Sequence, residues 1–150
     1  MAGVGFTLDS GSVALTASTA KTIVQAVAPS NQRALVKRID ISSDGITPTD
    51  PGILIDILTQ TSAGTMSALT PAKICSSDSE SVQTTAQFNA TVEPTASTVR
   101  HSLFYNEQTW VPLIFDPPIP IVGGTRLGIR ATPGTLTATT HIAVTVTCEE

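Results

Sequence analysis

The side chains able to do chemistry in this chain are few, and their spacing argues against a reaction centre. His101 and His141 stand forty residues apart, each inside a strand-like run, and neither belongs to an HxH, HExxH or CxxC arrangement. Those arrangements place ligands around zinc, so both imidazoles read as polar positions on strands. Asp78-Ser79-Glu80 offers the oxygen atoms that calcium prefers, but without the loop that would wrap them around an ion. It reads as an exposed acidic turn. The serines have no Gly-x-Ser-x-Gly elbow and no neighbouring His or Asp to activate them. Gly123-Gly124 is followed by neither a helix nor a lysine, which leaves a tight turn and not a phosphate loop. Glu107 and Asp116 are of the right type for a glycosidase pair. A sugar cleft normally presents several aromatics, however, and this chain has one Trp and one Tyr. No catalytic residue, metal or cofactor is expected, and the chain is not expected to be an enzyme.

Two further residue groups bear on contacts. Cys148 continues the alternation of Ile142, Val144 and Val146, so its thiol should face the core, whereas Cys75 lies in a polar stretch. Two reduced thiols are expected, with a bridge as the alternative. Trp110 and Tyr105 flank a short turn. Each suits either a core or sheet-edge anchor or an interface hot spot, where both residue types are enriched. With Met66, Leu69 and Phe88 they make up the candidate interface set.

The elements that must position these residues follow from composition. Only 13% of the residues are charged, about half the usual share, while Thr and Ser together supply about a quarter. Such a surface suits a part packed against neighbours. β-Branched residues alternate with polar ones in short runs separated by Gly, Pro, Asp and Asn, the pattern of an antiparallel sandwich or jelly roll. The pattern predicts strands over Ser12–Thr16, Lys21–Val27, Ala34–Ser42, Gly52–Thr59, Thr98–Tyr105, Trp110–Phe115, Thr125–Ala131 and His141–Cys148. Period two turns Ile39, Ile41, Ile55, Ile57, Val111, Leu113, Leu127, Ile129, Val144 and Val146 inward. The punctuation includes Ala28-Pro29-Ser30-Asn31, Ser43-Asp44-Gly45, Pro48-Thr49-Asp50-Pro51-Gly52 and Pro133-Gly134.

The length of 150 residues fits one all-β domain, with residues 1–20 as an N-terminal segment. The stretch 60–97 is long, polar and broken by Pro71 and Pro94. A structureless loop of that size is unexpected, so it reads as a long polar connection or contact arm. Ser81–Val92 within it is an additional strand or an arm ordered on another subunit, and Thr65–Leu69 allows a single helical turn. A net charge of −4 offers no basic face for nucleic acid or anionic lipid. The apolar runs Ile53–Leu58 and Trp110–Phe115 are too short to cross a bilayer. Met1–Leu8 lacks the charged-then-apolar pattern of a signal peptide, so synthesis in a cytoplasm without export is expected.

Four segments carry a resemblance. They are Gln25-Ala26-Val27-Ala28-Pro29-Ser30-Asn31-Gln32-Arg33, residues 60–71, Gln83-Thr84-Thr85-Ala86-Gln87, and Gly123-Gly124-Thr125-Arg126-Leu127-Gly128-Ile129-Arg130. Together they resemble small β-rich virion structural proteins of tailed bacteriophages, over Lys21 to Glu150. Within that group a single β domain of this size is similar to capsid decoration, or cement, proteins. The resemblance implies a virion location on the capsid surface and assembly in the host cytoplasm. It also implies a major capsid protein as partner and a homo-oligomer, a trimer being the natural form at three-fold positions. The segments are packing and turn sequences and assign no residue a role. A tail or head-completion component, and a virion-surface carbohydrate- or receptor-binding sandwich, are the alternatives.

Overall fold

The computed structural model describes residues 3–45 and 50–150. Twelve strands and no helix are found there. The first sheet takes β1 (Gly5–Asp9), β2 (Val13–Ala14), β4 (Ala34–Ser43), β7 (Ala72–Lys73), β10 (Val111–Ile121) and β12 (His141–Glu149), in the order β10-β4-β12-β1-β7 with β2 on β12. The second takes β3 (Lys21–Val27), β5 (Ile53–Gln60), β6 (Thr65–Leu69), β8 (Thr85–Val92), β9 (Ala96–Tyr105) and β11 (Arg126–Thr132), in the order β6-β8-β3-β11-β5-β9. All pairings are antiparallel. The two sheets pack as a β-sandwich.

Alternation explains the packing. Ile39, Ile41, Val144 and Val146 of the first sheet and Ile53, Ile55, Ile57 and Ile129 of the second are fully buried between the layers. Burying each aliphatic side chain contributes about 1.5–3 kcal/mol. Val111 and Leu113 also face inward but remain half-buried, because β10 is the end strand of its sheet and has a neighbour on one side only. Cys148 is buried and Cys75 exposed, and both are free thiols.

Three elements differ from the sequence reading. The strand at Trp110–Phe115 runs on to Ile121 through Pro117, Pro118 and Pro120. An end strand can do without inward-pairing donors at such positions, bulging between Ile114 and Ile119. The N-terminal segment contributes β1, because Phe6 and Leu8 alternate into the core against Cys148 and Val146. The stretch 60–97 contributes three strands: β6, β7 and β8 pair with strands of this same subunit, and β8 falls within Ser81–Val92. Thr65–Leu69 is the strand β6, not a helical turn. Of the turn expected at Pro48–Gly52, Pro48 and Thr49 lie outside the described residues.

Two connections, 61–64 and 93–95, lead from the β5–β9 end of the second sheet to its β6–β8 end and close over its outer surface. They bury a polar network. Gln25 donates to Gln60 Oε1 at 2.6 Å and to the Ser62 carbonyl at 3.0 Å, Gln60 donates to Thr22 Oγ1 at 2.7 Å, and Thr22 Oγ1 donates to Glu93 at 2.9 Å. Every buried member has a partner, which is what lets amides lie there without a desolvation penalty. Gly64 makes the crossing possible. Its φ is +63°, and a Cβ there would strike the Val92 carbonyl. Gly64→Ala should therefore destabilise the fold by more than about 1 kcal/mol, read as a lower urea midpoint. An unchanged midpoint would show that the crossing relaxes freely.

Candidate interaction surface

The chain passes from one sheet to the other between β9 and β10, and exposed apolar side chains stand on both sides of this turn. Tyr105 ends β9 pointing inward, 1% exposed, and its hydroxyl donates to the Thr109 carbonyl. Asn106 Oδ1 accepts from Gln108 N at 3.0 Å, fixing the turn. Trp110 then emerges 58% exposed, with the Arg38 guanidinium 5.8 Å from its ring centre. Along β10, Val111 and Leu113 turn in, so Ile114 must turn out, and it is 74% exposed. On β9, Leu103 and Tyr105 turn in, and Phe104 is 79% exposed. His101 meets Phe115 edge-to-face at 6.3 Å, and Arg100 Nη1 donates to the Pro120 carbonyl at 3.2 Å. These contacts bring β9 and β10 together at one edge of the sandwich.

The outer face of the first sheet continues this surface with short side chains. Register sets Ile114, Arg38, Thr147 and Thr7 in one row, and Pro112, Asp40, Thr145 and Asp9 in the next. Arg38 and Asp40 pair at 2.8 Å, while Asp9 is exposed and its Oδ1 accepts from the Gly11 N–H at 2.9 Å. A face that mixes threonines with an internally paired Arg–Asp and has an aromatic at its border forms contacts while desolvating few unpaired ions.

The candidate interface residues separate. Trp110 lies on this surface. Tyr105 does not, and the reading of it as a contact residue is corrected: its ring fills the core because it shares inward parity with Leu103. Burial pushes its phenol pKa up, only partly offset by the bond with Ser43. Met66, Leu69 and Phe88 lie on β6 and β8, at the opposite end of the second sheet from β9, with Leu69 and Phe88 packed against the core. Phe104 and Ile114 were missed. Their signal was present as outward parity between inward neighbours.

The chemically capable groups are also placed. His141 Nδ1 and Asp44 Oδ2 are 2.8 Å apart, and the His141 backbone N–H donates to Asp44 Oδ1 at 2.6 Å. That N–H, ahead of the imidazole, holds the Asp44 carboxyl below its ordinary pKa. His101 is on another strand, so the two histidines do not share a site. Glu107 is 3% exposed and accepts from Thr140 Oγ1 at 3.2 Å, while Asp116 is exposed on β10. Among the described residues no three His, Cys, Asp or Glu side chains are placed to hold a metal ion. Burial lifts the Cys148 thiol to about 12, with the charge of Glu150 adding to it. A thiol reagent should therefore modify Cys75 alone in the folded protein and both cysteines after unfolding. Fast labelling of Cys148 in the native state would contradict this.

No protein-family model, curated protein or solved structure matches the chain.

Proposed function

We propose that this chain is a structural virion protein that binds the outside of a bacteriophage capsid and stabilises it. The observation that carries the reading is the outer face of the first sheet, where Trp110 and Ile114 border threonines and the Arg38–Asp40 pair. Such a surface spreads contact over a broad area and has no need of a reaction centre. The resemblance of Lys21–Glu150 to virion structural proteins supports the same reading. Attachment to the shell and not to its dissociated subunits stabilises the shell by mass action, each contact adding about 25 cal/mol per Å² of apolar area removed from water. The partner is the major capsid protein, and the chain self-associates, a trimer matching three-fold junctions.

Co-sedimentation with undecorated shells tests the proposal. The expected result is saturable binding and a raised melting temperature of the shells. Trp110→Ala should weaken binding by about tenfold, as for a loss of roughly 1.4 kcal/mol at an aromatic contact. It should leave the melting of the free protein nearly unchanged, because the ring is mostly exposed. Absence of wild-type binding would reject the reading.

A further inference from the structure

The sandwich leaves one long sheet edge open. At the other ends, β10 carries Pro112, Pro117, Pro118 and Pro120, which remove backbone donors. β7 has two residues. β6 has five, bounded by Gly64 and Pro71. β9 has ten, contains neither Pro nor Gly, and pairs with β5 along one side only. From Thr98 to Phe104 every side chain except Leu103 is exposed. Soluble proteins blunt such edges with proline, lysine, bulges or short length; β9 is long and has neither proline nor lysine, and its bulges, at Ser97 and Arg100, leave His101–Tyr105 as a regular open stretch.

We propose that β9 is a docking edge, which takes an extended strand of a partner protein as a seventh member of its six-stranded sheet. Charge selects the occupant. Arg100 donates to Thr59 Oγ1 at 3.1 Å and to the Pro120 carbonyl, and among the described residues no carboxylate pairs with it. A second copy of β9 would bring no acidic residue in any register, since Ala96–Tyr105 contains none. Pairing of β9 with its own copy therefore leaves Arg100 without a carboxylate, and the occupant we assign is a strand of a different protein. It carries a carboxylate to meet Arg100 and an apolar side chain to cover Phe104. In the capsid reading this is a segment of the shell protein, and the inference rests on that reading for the partner's identity alone.

Hydrogen exchange over residues 98–104 tests it, with two probes. One is the undecorated shell. The other is a blocked peptide of about nine residues alternating valine with threonine and glutamate, compared with its lysine counterpart. The acidic peptide should slow these amides and bind about tenfold more tightly than the basic one. Arg100→Glu should reverse that preference, and Phe104→Ser, at a side chain too exposed to affect folding, should weaken both. Shells should protect the same amides. If shells bind while 98–104 exchange unchanged, the edge is not the contact, although the capsid reading stands. If shells do not bind but the acidic peptide protects β9, the capsid reading falls and the edge stands. Protection by neither probe, or protection in the free protein as its concentration rises, overturns the proposal.

Discussion

Asp56→Ala should cost the fold about 1–3 kcal/mol, because it leaves the partly buried Arg130 guanidinium and the Ser102 hydroxyl without their shared acceptor. Asp56 is 5% exposed. Its Oδ2 accepts from Arg130 Nη2 at 2.8 Å, and its Oδ1 accepts from Ser102 Oγ at 2.6 Å. Three neighbouring strands, β9, β5 and β11, are thus tied through one carboxylate. Burial raises its pKa and is the largest single influence. The bonds from Ser102 and Arg130, with the charge of Arg130, together outweigh it, so the carboxyl titrates below its ordinary range. A depressed pKa in the folded state contributes stability above the unfolded value of about 4 and loses it as pH falls through the folded value. Stability should therefore decline on acidification below about pH 4, with Asp44 acting in the same direction. Asp56→Asn should flatten that decline while keeping the bond to Ser102. Equal acid sensitivity in wild type and Asn variant would remove Asp56 from the account.

The second large effect belongs to the core. Ile55→Ala should lower stability by about 2–5 kcal/mol, since Ile55 is fully buried between the sheets and pairs with Leu103 and Ala131 on its flanking strands. Urea denaturation reads it directly. Wild-type stability in this variant would mean that the inward face of β5 had been assigned backwards, because a one-residue slip exchanges every inward and outward side chain.

Period two made most of the fold legible. The runs at Ile39–Ile41, Ile53–Ile57 and Val144–Val146 declare both strand and face, and a sandwich is the natural way to bury two such sheets. Where pairing partners decide, local pattern was insufficient. β6, with Thr65, Met66 and Leu69, has no alternation of its own and is a strand because β8 lies beside it. β10 continues through its prolines because its outer side needs no partner. The surface was legible only in part. Trp110 declared itself by type, but Tyr105, of the same chemical class, is drawn inward by parity. Arg100 could not be marked from sequence, since its significance lies in its having no carboxylate beside it among the described residues.

Quantitative mass spectrometry of purified, fractionated virions tests the central claim most directly. The account predicts this chain in the head fraction, in fixed stoichiometric proportion to the major shell protein. Recovery with tails, at a few copies per particle, or absence from particles altogether, would contradict it.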